Sequence, residues 1–329
     1  KAKEFKCLAE IKAHIAKKAP KEEAKLVRDA LNANKTGLIL SERLVNVPQD
    51  VGGPLVKQLF DDECKIIGYK KSSDLGCIIG KIIGPFFRSK SKIIENLKKS
   101  KVNKNKDFNL ISSEVFGNYG RIFAEYPHIK NFRNNKLDKF IEIENYKYLE
   151  QIKNEKKSVV FISGHFNNFE LMAMQIEMAG INLAAIYRPL NNIFLNTIME
   201  KIRKNYICKK QIKKGMSGTK EILKYFKKGT SIALMIDQRV SEGISCNFFN
   251  RKALTTTIPA QFVKKFNCKV VPIYIERKNK NQFRLEILNP IKFFKNENIE
   301  IITSNLNKVL EKMIKRNPDQ WIWTHDRWK

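Results

Sequence analysis

Hydrophobic and polar positions divide the chain into apolar runs of strand length and longer stretches with helical spacing. Four apolar runs lie at 159–162, 183–187, 232–236 and 270–275, each preceded by a helix-like stretch. That alternation predicts an α/β fold with a mainly parallel central sheet flanked by helices. The run at 283–288 predicts a further, antiparallel strand. Upstream, 78–87 and 92–99 show helical spacing and 112–125 is amphipathic. The Lys/Asn-rich stretches at 101–107 and 278–282 read as loops.

The first 63 residues form a separate pattern. Helical spacing at 9–19 and 22–33 is interrupted by Pro20, Thr36-Gly37 closes the second helix, and 38–40 is a short apolar strand. This predicts a short α/β appendage. Composition changes at its end. Residues 1–63 hold 12 basic and 10 acidic residues, against 51 and 23 in the rest. Alanine is absent between Ala33 and Ala124. We place a boundary near 60–66, dividing the chain into 1–63 and 64–329.

The 329 residues are 43% hydrophobic, which excludes a disordered chain and leaves ample core. No apolar run approaches the length of a membrane span. The chain opens on Lys1 without a signal-peptide pattern, so any membrane anchor is expected on a preceding segment. Six cysteines at 7, 64, 77, 208, 246 and 268 have neither disulfide-framework nor zinc spacing and read as free thiols in a reducing compartment. The formal charge of +30 points to an anionic partner.

In open parallel sheets, functional groups gather at the C-terminal ends of the strands. Three of the apolar runs end in notable polar residues: Ser163-Gly164-His165, Arg188-Pro189 and Asp237-Gln238-Arg239. If those strands are neighbours, His165, Arg188 and Asp237 converge on one rim. Glu170 follows His165 by five residues, about 140° away on an ideal helix. His165 is therefore expected just before a helix and Glu170 in its first turns, reaching back to one ring nitrogen. The other nitrogen would face a pocket as a general base. The alternative is a helix-capping turn with a surface histidine. The remaining histidines, at 14, 128 and 325, offer no ligand-spaced partner for a metal.

Several blocks, in order, resemble the late lipid A acyltransferases of Gram-negative bacteria, within the lysophospholipid acyltransferase superfamily. They are "FGNYGRIFAEY" at 116–126, "GHFNNFE" at 164–170, "YRPLNN" at 187–192, "DQR" at 237–239, "FFNRKALTTTIPA" at 248–260, "VVPIYIER" at 270–277 and "PDQWIWTHDRWK" at 318–329. The similarity covers roughly 70–329. It implies a glycerolipid acyltransferase-like fold, with His165 as general base, Glu170 as its orienting carboxylate, and Arg188, Arg203 and Asp237 as further site residues. In that scheme Asp237 holds an arginine in place. Arg239 departs from the family pattern and is expected to alter the acceptor contact. Separately, "GLILSERLVNVPQDVGGPLVKQLFDDE" at 37–63 resembles the start of the BCCIP family of eukaryotic nuclear proteins, which suggests a fusion and assigns no function to 1–63.

The resemblance implies O-acyl transfer from an acyl-carrier-protein or coenzyme A thioester to a hydroxyl of a phosphorylated lipid A precursor. It implies no cofactor beyond that cosubstrate and a place at the cytoplasmic face of the inner membrane, peripheral or anchored by a missing segment. Partners would be an anionic glycolipid, acyl carrier protein and an anionic membrane surface, with no nucleic acid. The competing reading of the charge is a nucleic-acid- or ribosome-associated binding protein without catalysis. The three C-terminal tryptophans, Trp321, Trp323 and Trp328, read either as lining an acyl- or membrane-facing groove or as core packing of a terminal strand.

Overall fold

The computed structural model describes residues 68–102, 107–189 and 193–329. The expected appendage at 1–63 and the boundary near 60–66 lie outside these residues. The described chain opens with three helices, α1 (Tyr69–Phe87), α2 (Lys90–Ser100) and α3 (Phe108–Glu125), and a short turn of helix, α4 (Ile129–Arg133). Next come β1 (Ile141–Glu144), α5 (Lys147–Glu155), β2 (Val160–Ser163), α6 (Glu170–Met178) and β3 (Leu183–Tyr187). They are followed by α7 (Ile193–Ile202), a π-helical turn (Arg203–Ile207), β4 (Lys210–Lys213), α8 (Met216–Lys227) and β5 (Ser231–Met235). The chain ends with β6 (Ile244–Phe248), β7 (Arg251–Thr255), α9 (Ile258–Phe266), β8 (Val270–Arg277), β9 (Phe283–Ile287) and α10 (Ile299–Arg316).

Seven strands form one sheet in the order β1-β9-β8-β2-β5-β3-β4. All pairs are parallel except β8–β9, where Ile275 faces Leu285 in antiparallel register. The four apolar runs are the interior strands β2, β3, β5 and β8, and 283–287 is the antiparallel strand. Strands β2 and β8 are buried along their whole length. That is why they read as continuous apolar runs rather than as alternating ones. A separate antiparallel hairpin, β6–β7, sits beside α10.

The α1–α3 pair is held unusually close. Gly76 and Gly80 on α1 face Gly120 on α3, and a Cβ placed on Gly120 would stand 1.9 Å from the Gly76 carbonyl oxygen. Residues spaced four apart share a helix face, so only side-chain-free positions allow this contact. The close approach brings α3 over the C-terminal end of the sheet, where Tyr119 bonds Thr324 (2.8 Å) and Asn118 bonds the Asp319 carbonyl (3.0 Å). Helix α3 therefore forms one wall of the cleft above the strand ends.

Candidate active site

Strands β2 and β5 are adjacent and parallel, so the residues just beyond them emerge side by side. This brings His165 and Asp237 together. His165 Nδ1 lies 2.8 Å from Asp237 Oδ1, and the His165 backbone N–H donates to Asp237 Oδ2 at 2.7 Å. Trp321 Nε1 donates to the same Oδ2 at 2.8 Å. A carboxylate only accepts hydrogen bonds, so Nδ1 carries the proton and Nε2 is the bare nitrogen. Nε2 has no partner among the described residues.

Asp237 is fully buried. Burial on its own would raise its pKa. The charge of His165 and the hydrogen bonds from its ring, its backbone and Trp321 outweigh burial and hold the carboxyl below its ordinary value. The carboxylate is thus kept ionised by the groups it orients.

Glu170 occupies the first turn of α6, just after His165, but its side chain turns away from the ring. Its Oε1 accepts from Arg203 Nε at 2.8 Å, Arg203 Nη2 at 2.5 Å and the Tyr126 hydroxyl. The expectation that Glu170 orients His165 is corrected: Asp237 does so. Likewise, Asp237 holds the histidine rather than an arginine. Asn167, at φ +38°, bends the loop, and the helix starting at Glu170 points the carboxylate into a dry space. A charge there requires a fixed partner, and the π-helical turn supplies Arg203. Burial disfavours the guanidinium charge, yet Glu170 and Tyr126 outweigh it and raise the Arg203 pKa. Burial and the Glu170 charge push the Tyr126 hydroxyl well up, so it remains a donor.

The His165 loop is clamped from below. Asn168 donates to Glu125 Oε2 at 3.0 Å, and Glu125 also pairs with Arg277 (2.8 Å) and accepts from Ser73 (2.6 Å). Asn167 bonds Gln320 through backbone (3.2 Å) and side chain (2.5 Å), and Gln320 Oε1 accepts the Arg277 N–H at 2.9 Å. Asn167 and Asn168 thus tie the loop to α3, to the end of β8 and to the C-terminal segment.

His165 opens onto a narrow, mostly apolar slot of about 30 Å³ between α3 and the C-terminal segment, with Tyr119, Ile122, Phe169 and Ile322 on its walls. The Phe169 ring packs edge-on against the imidazole, centroids 4.9 Å apart. A larger cavity of about 310 Å³ lies at the other end of β3, lined by Arg133, Glu177 and Lys210. We take the slot as the site because it alone of the two reaches the oriented imidazole.

The remaining sequence-predicted residues are dispersed. Arg188 leaves the end of β3 on the same sheet edge, exposed and with no hydrogen bond or ion pair among the described residues. Arg203 belongs to the Glu170 pair. Arg239 donates to the Lys329 backbone oxygen at 3.1 Å. Trp321 and Trp323 are buried core residues, and the first also bonds Asp237. Tyr126 and Gln320 were not singled out from the sequence, and Trp321 was read only as a groove or core residue, not as a partner of the catalytic pair. Their only signal was membership of the blocks at 116–126 and 318–329.

Residues 63–329 match the family model of the bacterial lipid A biosynthesis acyltransferases. Residues 1–118 match the model of the BCCIP family, a longer stretch than 1–63. The lipid A biosynthesis lauroyltransferase of Escherichia coli (strain K12) is 23% identical over 275 residues, covering 78% of this chain and 84% of that protein. The lipid A biosynthesis palmitoleoyltransferase of the same organism is 22% identical over 221 residues, covering 66% and 71%. Among solved structures, the 1-acyl-sn-glycerophosphate acyltransferase PlsC of Thermotoga maritima aligns with 78% of this chain and 100% of its own, at 12% identity and a TM-score of 0.37. The matched span of the first model takes in the whole sheet, the His165–Asp237 pair and the C-terminal block. This chain therefore belongs to the bacterial lipid A biosynthesis acyltransferase family and is an acyltransferase.

Proposed function

We propose that the chain transfers a fatty acyl group from an acyl-carrier-protein thioester to a hydroxyl of a phosphorylated lipid A precursor, with His165 as general base. The observation that carries this reading is the buried Asp237 on Nδ1, which leaves a bare Nε2 facing an apolar slot. The acceptor hydroxyl loses its proton to Nε2 as its oxygen attacks the thioester carbonyl. The tetrahedral oxyanion is met by donors placed beforehand. Collapse breaks the carbon–sulfur bond, and the imidazolium returns the proton to the departing thiolate. Asp237 stabilises the imidazolium between these two transfers. The thioester already activates the acyl group, so the step balances without a further cofactor.

Arg203 is committed to Glu170, so we assign both to the framework of the site rather than to substrate. Catalysis is assigned to 64–329 and none to 1–63. Among the described residues no helix is long and apolar enough to cross a membrane. We propose that this region works at the cytoplasmic face of the inner membrane, its positive charge drawn to anionic lipid.

The test is incubation of the purified chain with acyl-carrier-protein thioesters and lipid A precursor, read by mass spectrometry, beside His165→Ala. Wild type should add one acyl mass. His165→Ala should fall by about 10²- to 10⁴-fold at an unchanged melting temperature, the usual worth of a positioned base. Wild-type activity in the folded variant would overturn the general-base assignment.

A further inference from the structure

Asp237 accepts three hydrogen bonds, and two of them come from one residue. The His165 ring bonds Oδ1 at 2.8 Å and the His165 backbone N–H donates to Oδ2 at 2.7 Å. The third donor, Trp321 Nε1 at 2.8 Å, is the only one among the described residues that ties Asp237 to a different part of the chain.

The indole is firmly held. It is buried, packs edge-on against Trp323 with centroids 4.6 Å apart, and meets the Phe248 ring at 6.1 Å. The Trp321 backbone pairs with Phe166, the residue after His165, in an isolated antiparallel bridge. Its neighbour Gln320 exchanges two bonds with the Arg277 backbone, Oε1 accepting the N–H and Nε2 donating to the carbonyl, both at 2.9 Å. The same Oε1 accepts from Asn167 Nδ2 at 2.5 Å. Residues 320 and 321 thus grip the His165 loop and the end of β8 together while reaching Asp237. A buried indole N–H needs an acceptor, and here the acceptor is the carboxylate that orients His165. With Oδ2 fixed by an indole and an amide, the carboxylate does not turn freely about its Cβ–Cγ bond, and Oδ1 stays aimed at Nδ1.

We propose that Trp321 is a positioning residue for acyl transfer, pinning Asp237 Oδ2 so that Oδ1 holds the His165 Nδ1–H and Nε2 stays turned to the slot. This rests on the general-base role proposed above. A donor to a carboxylate stabilises its negative charge, so the indole bond also weakens the pull of Asp237 on a protonated ring. Without that bond the carboxylate holds the imidazolium more tightly. The other ionisable groups around the pair are engaged elsewhere. The Tyr119 hydroxyl on α3 bonds Thr324, and Arg327 donates to the Leu254 carbonyl at 2.6 Å and the Thr255 hydroxyl at 2.7 Å. His325 Nε2 lies 3.3 Å from the Gln238 side-chain nitrogen, Glu170 pairs with Arg203, and Glu125 pairs with Arg277. A change confined to the indole N–H leaves all of these in place.

The test uses the full chain with Trp321→Phe and, separately, with Trp321→3-benzothienylalanine, in which sulfur replaces the N–H at nearly the same volume. Histidine ring signals are followed by NMR against pH, and that of His165 is assigned by its loss in His165→Ala. In the isosteric protein His165 should titrate at least roughly 0.5 pH higher than in wild type, the share of one charge-assisted bond that the imidazolium regains. Trp321→Phe should move it in the same direction. Acyl transfer by the isosteric protein, measured above both titrations, should show kcat lower by about tenfold with both KM values within about twofold. A His165 titration that is unchanged or lower in the isosteric protein overturns the proposal, and so does wild-type kcat in that protein. If wild type forms no acylated product, the functional reading fails on its own, and the titration alone decides whether the indole pins Asp237. If Trp321→Phe does not fold, the isosteric protein, which leaves no cavity, carries both measurements.

Discussion

Asp237→Asn is the sharpest perturbation of the site. Asp237 accepts three hydrogen bonds, one on Oδ1 from His165 Nδ1 and two on Oδ2 from the His165 backbone and Trp321. Asparagine has one acceptor oxygen. Two fixed donors, the backbone N–H and the indole N–H, compete for it at the Oδ2 position. Satisfying them turns the amide NH₂ toward Nδ1. That nitrogen must then accept, and the proton moves to Nε2, where it blocks the base. Loss of the charge-assisted bond alone removes about 1.5–3 kcal/mol, roughly 10- to 150-fold in rate. The inverted tautomer takes the loss to about 10⁴-fold, as in serine-protease triads.

The assay is single-turnover acyl transfer against pH, with a thermal melt of the same preparation. A folded variant slower by about 10³- to 10⁴-fold is the expected result. The carboxyl is held below its ordinary value of 3.8. Its contribution to stability is therefore complete above about pH 4 and is lost only as pH falls through the lower folded value. Around neutral pH the wild-type stability should not change through this group. Activity within threefold of wild type at pH 7 would refute the assignment of Asp237 as the orienting carboxylate.

Glu170→Gln should act on stability first. It leaves Arg203 buried beside a neutral amide, which costs about 3 kcal/mol, roughly 6–12 °C by calorimetry, while kcat of the folded fraction stays within about fivefold. Gly120→Ala must force α1 and α3 apart, since the new Cβ would meet the Gly76 carbonyl oxygen at 1.9 Å. A loss of at least about 3 kcal/mol in urea unfolding is expected. His325 favours its neutral form in the fold, so its pKa lies below the ordinary 6.5. As pH falls through about 6.5 the unfolded chain takes the proton first, stability drops until the lower folded value is passed, and His325→Gln should flatten that drop in urea midpoints.

The interior strands were legible because parallel strands covered on both faces are apolar throughout, as β2 and β8 are. Strands β1 and β4 were not, for the same reason reversed. They lie at the two edges of the sheet, where Ile141-Glu142-Ile143-Glu144 and Lys210-Gln211-Ile212-Lys213 meet solvent and carry charge. The β6–β7 hairpin was hidden by its turn. Phe249 and Asn250 both adopt positive φ, as a two-residue hairpin requires, yet phenylalanine is a rare choice for that conformation. At the site, strand-end reasoning named His165, Arg188 and Asp237, and the first and last of these meet because β2 and β5 are neighbours. The pairing of His165 with Glu170 failed because nearness in sequence was read as nearness of side chains.

The exchange of carboxylates has an electrostatic cause. Glu170 and Asp237 are both buried acids near one imidazole, and their surroundings separate their roles. Glu170 faces a permanent guanidinium at 2.5 Å, so the pair is close to neutral and adds little field at His165 whichever form the ring takes. Asp237 is bonded by an amide, an indole and the imidazole itself, with no fixed cation in hydrogen-bond reach. Its hydrogen-bond partners are the His165 backbone, the His165 ring and Trp321. The acid–base role proposed for His165 therefore follows the carboxylate that bonds the imidazole directly, not the one committed to a guanidinium.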